Sequence, residues 1–169
     1  RIKSPHGTAL MRVAITDAQT PRQVFVPMHW NDVFSAAGGI GRLQPPNVDP
    51  HSGQPESKHI PITLEPFSAK WQGLLFSSTP VDLSKLPYWV GATGPGSMVY
   101  EIAGDEPILF KSLLPIVANK NDEQIIEYSD ANKGVHRFAR LEGDRITGAL
   151  FVGPDRPALG RDWVSNLFG

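Results

Sequence analysis

The chain contains no cysteine. Disulfide bonds, thiolate metal sites, protein-ligated iron–sulfur clusters and cysteine nucleophiles are therefore excluded within these residues, and the absence suits a reducing compartment. No apolar run approaches the roughly 20 residues that a membrane-spanning helix needs. A signal-peptide pattern is also missing. We therefore expect no membrane association.

A surplus of basic charge is missing as well. Lys and Arg together number 16 and Asp and Glu 17, which gives a formal net charge of −1. Nucleic-acid-binding domains normally carry a basic surplus, so we expect no nucleic-acid partner. Long helices are equally unexpected, because 16 Gly and 16 Pro among 169 residues favour turns and short elements.

The first third of the chain alternates short apolar segments with loops. Residues 9–15, 23–27 and 59–64 are β-prone and predict three strands. Residues 29–37 predict a short helix, because their apolar side chains recur at helical spacing. Residues 42–58 contain four prolines and predict a long loop, and loops of this length in compact domains are often functional.

The middle of the chain predicts a mixture of elements. Residues 71–76 and 88–90 are expected as strands, followed by a glycine-rich turn over 91–96. Residues 97–103 fit either a helix or a strand. An acidic pair followed by proline predicts the start of a helix over 105–114.

The clearest secondary-structure signal lies near the end of the chain. Three apolar-rich segments, 124–129, 135–142 and 145–152, are separated by turn residues, and Gly143-Asp144 is typical of a tight hairpin. This pattern predicts an antiparallel meander. Residues 161–168 predict a short amphipathic helix with three residues facing inward: Trp163, Val164 and Leu167.

Most catalytic motifs are absent. No His-x-x-x-His pair, Gly-x-Ser-x-Gly elbow, dinucleotide-binding glycine motif or phosphate loop occurs. A metal site built from His51, His59, Asp49 and Glu56 is conceivable, but solvent-exposed loop histidines are the favoured interpretation. We therefore assign no catalytic residue and no metal ligand.

One stretch, residues 26–59, could still hold a ligand. It presents imidazole, guanidinium, ammonium and amide donors, together with glycines that let a ligand approach the backbone. These groups suit a polyanionic, hydrogen-bond-rich ligand such as a nucleotide or a pterin. The alternative to a binding site is a surface loop whose backbone is restricted by its prolines, with Trp30 packed in the hydrophobic core.

Two motifs in this stretch carry a family resemblance. Residues 24–30 read Val-Phe-Val-Pro-Met-His-Trp, and residues 49–58 read Asp-Pro-His-Ser-Gly-Gln-Pro-Glu-Ser-Lys. Over residues 5–64 the chain resembles the end of the molybdopterin dinucleotide-binding domain of prokaryotic molybdenum oxidoreductases, and most closely the cytoplasmic assimilatory nitrate reductases. A weaker resemblance to a further segment of some assimilatory enzymes covers parts of residues 134–153.

The resemblance implies a mainly β fold with short helices (α+β). Residues 1–66 would form the C-terminal half of a double-psi β-barrel, and residues 67–169 an appended α+β domain with the antiparallel meander. The lysine that contacts the cofactor in the family falls on Lys58. The position of a neighbouring asparagine in the family falls near Gly41. Because this chain has no asparagine there, its backbone would have to make the contact with the cofactor. The candidate cofactor-binding residues are His29, Trp30, Gly41, Arg42, Gln54 and Lys58.

The resemblance also implies a function for the protein to which the chain belongs. That protein would use a bis(molybdopterin guanine dinucleotide) molybdenum cofactor to reduce nitrate to nitrite in the cytoplasm. Another molybdopterin oxidoreductase, such as a formate dehydrogenase, and a non-catalytic interaction module are the alternatives. The chain starts at Arg1 inside an expected strand pair, so we interpret it as a fragment that is not catalytic and binds no cofactor when isolated.

The fragment is expected to need a partner for its strands. The rest of the same polypeptide would complete the barrel in the parent enzyme. In isolation, either a homodimer or a fold-back of residues 67–169 would cover the exposed strand edges. The side chains expected to supply most of this buried surface are Leu10, Val13, Ile15, Val24, Val26, Ile60 and Ile62.

Overall fold

The structure is a computed structural model that describes residues 1–36, 39–107, 113 and 124–168. The chain divides into two compact units, Arg1–Phe67 and Ser68–Gly169. The described residues are mainly β-strand with short helical turns, which confirms the expected fold class.

Unit 1 (Arg1–Phe67) is organised around one short antiparallel sheet. Strand β1 (Ile2–Lys3) pairs on one side with β2 (Thr8–Ala9) and on the other with β3 (Thr63–Leu64). A 3-10 turn, Ile40–Leu43, follows the first loop region. Among the described residues of unit 1, the buried apolar core is formed by Ile2, Ala9 and Leu43.

The predicted strands of unit 1 are much shorter than expected. The segments 9–15 and 59–64 are paired only at Ala9 and at β3, and 23–27 forms no strand. Ala9 pairs with Ile2, and within the described residues no strand pairs with the segment that follows Leu10, so its backbone lacks the partner that a strand needs. The half double-psi barrel therefore stays a prediction.

The helix predicted over 29–37 is wrong for residues 29–36, and residue 37 lies outside the described residues. The backbone forms turns instead, in which Phe34 N and Ser35 N both donate to Asn31 O at 3.0 and 3.1 Å. Asn31 Oδ1 also accepts from Val33 N at 3.0 Å. An asparagine side chain that bonds the backbone in this way favours a local turn over a continuing helix.

Unit 2 (Ser68–Gly169) contains a six-stranded antiparallel sheet. Its spatial order is β5-β6-β4-β9-β8-β7. The strands are β4 (Trp71–Ser77), β5 (Tyr88–Gly94), β6 (Ser97–Gly104), β7 (Gln124–Asp130), β8 (Val135–Glu142) and β9 (Arg145–Gly153). The predicted meander is confirmed as β7–β9, and the predicted strands at 71–76 and 88–90 are confirmed as β4 and β5.

Pairing also settles the ambiguous segments between these strands. The 97–103 segment is strand β6, because it pairs with β5 on one side and β4 on the other. The turn predicted over 91–96 is shorter than expected, since β5 continues to Gly94. The helix predicted over 105–114 lies largely outside the described residues.

The central strand β4 is buried on both faces of the sheet. Trp71 and Leu75 point into one cluster, while Leu74 and Phe76 point into the other. Alternating side chains of one strand point to opposite faces, so apolar material must cover both faces here. On the Phe76 side that cover includes the end of the chain.

The chain ends in helix α1 (Arg161–Ser165), which continues as a 3-10 turn, Asn166–Phe168. Val164 is buried as predicted, but Trp163 and Leu167 are exposed, which contradicts the prediction. The tightening to 3-10 geometry turns Phe168 inward, where its ring stacks on Phe76 with a centroid distance of 6.3 Å.

We predict that Gly143→Val destabilises unit 2 by about 1–2 kcal/mol, because this position has φ +59° and an L residue is strained there. A Cβ at Gly143 would meet no atom within 4 Å, so crowding does not contribute. Equilibrium unfolding in denaturant measures the loss. Gly143→Asn is the matched control, since asparagine tolerates positive φ, and equal destabilisation by both variants would contradict the explanation.

Candidate functional site

The long proline-rich loop contains a compact hairpin-like turn between Asn47 and Glu56. Val48 and Pro55 form an antiparallel bridge. Asp49 N donates to Gln54 O at 2.9 Å, and Glu56 N donates to Asn47 O at 3.1 Å. The loop is therefore a defined structure built by its own backbone hydrogen bonds.

The Asp49 carboxylate organises the tip of this turn. Its Oδ1 atom accepts hydrogen bonds from Ser52 N at 2.7 Å, His51 N at 3.0 Å and Ser52 Oγ at 3.0 Å. These donors, the Ser52 backbone N–H foremost, hold the pKa of Asp49 below its usual value because they stabilise the charged carboxylate. Asp49 consequently stays ionised to a lower pH than an ordinary aspartate, and its hydrogen bonds hold the turn closed.

A shallow, open cavity of about 510 Å³ lies against this turn. Its polar lining comes from amide, hydroxyl and carboxylate side chains, and Gln54 is the predicted site residue among them. The lining residues are Asn47, Val48, Asp49, Ser52, Gln54, Pro55 and Glu56.

A second cluster brings together two segments that are separated in sequence. The Arg42 Nη2 atom lies 3.4 Å from Asp32 Oδ1, and both side chains are more than half exposed. Gly39 packs against the carbonyl group of Trp30 so closely that a Cβ atom there would overlap the carbonyl oxygen. The 30–32 segment and the 39–42 segment are therefore neighbours.

The structure places the six predicted site residues in three situations. Arg42 pairs with Asp32, Trp30 lies beside Gly39 in the neighbouring segment, and Gly41 adjoins Arg42 in the same 3-10 turn. Gln54 lies in the 47–56 turn. His29 and Lys58 are exposed, and among the described residues no hydrogen bond or ion pair joins either of them to these two groups.

Sequence reasoning missed the residues that hold the site in shape. Asp49, Ser52 and Asp32 were not among the predicted site residues, although each orders its neighbours through hydrogen bonds or an ion pair. The Asp-Pro-x-Ser-Gly pattern was the available signal for Asp49 and Ser52, since aspartate bonds the backbone of following residues in such turns. The Asp32–Arg42 pair has no comparable sequence signal.

The exposed cations and amides of this region suit an anionic, hydrogen-bonding ligand. Arg42 and Lys58 are both exposed and contribute positive charge, and Gln54 contributes an amide. In the described part of the chain, no group of three or more His, Asp or Glu side chains is placed to hold a metal ion. No helix within the described ranges is long and apolar enough to cross a membrane.

Comparison with known proteins identifies relatives of this chain. Residues 1–61 match the family described as the Molydopterin dinucleotide binding domain. A nitrate reductase from Klebsiella oxytoca is 40% identical over 179 residues, a match that covers 99% of this chain and 19% of that protein. No solved structure matches the chain significantly.

Two further relatives carry the same name. A nitrate reductase from Shewanella frigidimarina (strain NCIMB 400) is 35% identical over 72 residues, which is 42% of this chain and 8% of that protein. One from Synechocystis sp. is 35% identical over 64 residues, which is 38% of this chain and 9% of that protein.

The chain spans about a fifth or less of the length of these relatives. The family match covers almost the whole of unit 1, which contains both loop clusters. The predicted resemblance is therefore confirmed: residues 1–61 match the molybdopterin dinucleotide-binding family, and nearly the whole chain is similar to one part of a nitrate reductase.

Proposed function

We propose that this chain is the cofactor-binding part of a molybdenum-dependent nitrate reductase, which reduces nitrate to nitrite. The observation that carries the proposal is the 40% identity to a nitrate reductase over 99% of the chain, together with the family match of residues 1–61. The donor groups of unit 1 support it, because an anionic dinucleotide requires cations and amides at an open surface.

The residues of unit 1 fit the organic part of such a cofactor. Arg42 and Lys58 would neutralise phosphate charge, and Gln54 would donate its amide protons or accept a hydrogen bond from a base or a pterin. The exposed backbone at Gly41 has no atom within 4 Å of the position of a Cβ, so a ligand can approach it closely. By the family resemblance, the position that faces the substrate would fall on Met28, His29 or Trp30.

When bound, the cofactor would supply the redox chemistry, because its molybdenum centre would donate electrons to nitrate. The chain itself would bind and orient the dinucleotide arms. The finer assignments, which are the guanine form of the dinucleotide, an assimilatory role and a cytoplasmic location, rest on the motifs at residues 24–30 and 49–58.

Unit 1 also has exposed apolar side chains that other parts of the complete enzyme would cover. Val13, Ile15, Val24, Phe25 and Met28 are exposed by 76, 97, 46, 71 and 55% respectively. Where such exposed apolar side chains adjoin one another, they form a surface that another part of a protein can cover. We propose that the rest of the same polypeptide covers it in the complete enzyme.

A homodimer is the corresponding arrangement for the isolated chain. The other side chains expected at that interface are half-buried, namely Leu10, Val26, Ile60 and Ile62. We further propose residues 1–66 as the barrel half that binds the cofactor and residues 67–169 as an appended domain.

The reaction itself is tested with the complete enzyme that contains this chain. We expect the purified enzyme to contain molybdenum and to produce nitrite from nitrate when a reduced electron donor is supplied. Oxidation of formate without any nitrate reduction would contradict the proposed substrate and favour a formate dehydrogenase.

A second prediction concerns Lys58. In the complete enzyme Lys58→Ala should weaken cofactor retention by about ten- to a hundredfold, because a charge-assisted hydrogen bond contributes about 1.5–3 kcal/mol. Molybdenum and dinucleotide content after dialysis measure the loss. Lys85→Ala removes an exposed lysine of unit 2 and is the control. Unchanged cofactor content in Lys58→Ala would contradict the assignment.

A third prediction concerns Asp49. Asp49→Ala should speed hydrogen exchange at Ser52 N and Gly53 N, because the turn loses three hydrogen bonds, whereas Asp49→Asn keeps an acceptor oxygen and should change exchange less. The lowered pKa also gives a pH dependence. The contribution of the carboxylate is present above the ordinary pKa of 3.8 and is lost as the pH falls through the lowered value.

Hydrogen exchange measured between neutral and strongly acidic pH checks this dependence, after correction for the intrinsic exchange rate. The wild-type turn should lose protection at low pH, whereas Asp49→Asn, which does not titrate, should keep the same protection. A wild-type turn whose protection does not change with pH would show that Asp49 does not close it.

A further inference from the structure

The turn between β1 and β2 is built around the hydroxyl group of Ser4. Ser4 Oγ accepts hydrogen bonds from His6 N at 3.1 Å and from Gly7 N at 3.2 Å. The same hydroxyl donates its proton to Leu43 O at 2.8 Å, a residue 39 positions further along the chain. The Ser4 hydroxyl therefore links the β1–β2 turn directly to the end of the 3-10 turn that carries Arg42.

Gly7 supplies a second link to the same backbone. A Cβ atom at Gly7 would overlap the carbonyl oxygen of Arg42 and would lie 3.5 Å from Arg42 Cβ. A residue with a side chain would therefore have to displace the Arg42 peptide group. The backbone carbonyl groups of Arg42 and Leu43 are thus both in contact with the turn formed by residues 4–7.

The third support comes from the small core of unit 1. Leu43 is 2% exposed and packs with Ile2 and Ala9, which belong to the two strands that flank the turn. Gly41 and Arg42 are exposed on the opposite side. Three contacts therefore hold the inner side of the 40–43 turn, while its outer surface is open to a ligand.

We propose that Ser4 and Gly7 are positioning residues that fix the backbone of residues 41–43 so that the Arg42 guanidinium group meets an anionic group of the cofactor. The inference rests on the proposed function, because it assigns the held surface to cofactor binding. The physical reason is preorganisation: a backbone already held in its bound conformation loses less entropy when the ligand binds. Ser4 and Gly7 would themselves make no contact with the cofactor.

The experiment measures cofactor retention in the complete enzyme for Gly7→Ala, Ser4→Ala and Arg42→Ala, and for Gly7→Ala combined with Arg42→Ala. Arg42→Ala should lower retention by about ten- to a hundredfold, as expected for one charge-assisted contact. Gly7→Ala should give a comparable loss, and the double variant should lose little more than either single variant, because both changes remove the same contact.

If Gly7→Ala fails to fold, Ser4→Ala still tests the proposal, because it removes the hydrogen bond from Ser4 Oγ to Leu43 O. Ser4→Thr is the conservative variant at the same position. Ser4→Thr retains the hydroxyl group and should restore retention to the wild-type value. His6→Ala is the control in the same turn, since the His6 side chain is exposed and only its backbone N–H bonds Ser4. It should leave retention unchanged.

A readout without cofactor separates positioning from a general loss of stability. In the protein stripped of cofactor, Gly7→Ala and Ser4→Ala should speed exchange of the Gln44 N–H, which donates to Gly41 O at 3.3 Å. Exchange of amides in β4 and β9 should not change. Accelerated exchange throughout the chain would overturn the positioning role.

The retention data also separate the inference from the proposed function. Two outcomes would overturn the positioning role alone. One is that the losses of retention for Gly7→Ala and Arg42→Ala add up in the double variant. The other is that Arg42→Ala clearly lowers retention while Gly7→Ala and Ser4→Ala leave it unchanged. If neither Arg42→Ala nor Lys58→Ala changes retention, the cofactor assignment of this surface fails, and the inference fails with it.

Discussion

Each strand in this chain extends only as far as a neighbouring segment can satisfy its backbone hydrogen bonds. A backbone N–H or C=O group that is buried without a partner is costly, so an apolar, β-prone sequence becomes a strand only beside another strand. In unit 2 this condition is met across the sheet: β4 pairs with β6 over all seven of its residues and with β9 over six. In unit 1 the condition is met at two residues of each strand.

Unit 1 compensates for its short sheet with side chains that bond the backbone. Ser4 holds the β1–β2 turn, Asn31 holds the turn after Trp30, and Asp49 holds the tip of the proline-rich turn. Each of these side chains supplies the hydrogen bonds that a ladder would otherwise supply. The loops are thereby fixed in shape while their outer surfaces stay open, which is the condition that a preorganised binding surface requires.

This division suits the function proposed for the chain. The six-stranded sheet of unit 2 buries apolar side chains on both faces of β4, and its outermost described strands are β5 and β7. Unit 1 combines exposed apolar side chains with cationic and amide groups on loops. A domain that contacts both a large anionic cofactor and further protein needs a cationic surface and an apolar one. The exposed Arg42 belongs to the first kind of surface and the exposed Phe25 to the second.

Some features of this protein follow from its sequence alone. The meander was predictable because Gly143-Asp144 and the 130–134 segment separate three apolar segments, and local turn chemistry decides such hairpins. The loop around residues 49–58 could be assigned to a cofactor family because its motif is contiguous in sequence. The lack of long helices among the described residues followed from the glycine and proline content, and the mainly β fold followed from the predicted strands and the family resemblance.

Only the tertiary structure decided the remaining features. The lengths of the strands at Ala9 and Thr63 depend on the segment beside them, and periodicity within one segment carries no information about its neighbour. The inward position of Phe168 depends on Phe76, which lies 92 residues earlier in the chain. The contacts of Ser4 and Gly7 with residues 42–43 join distant parts of the sequence, so the folded chain alone brings them together.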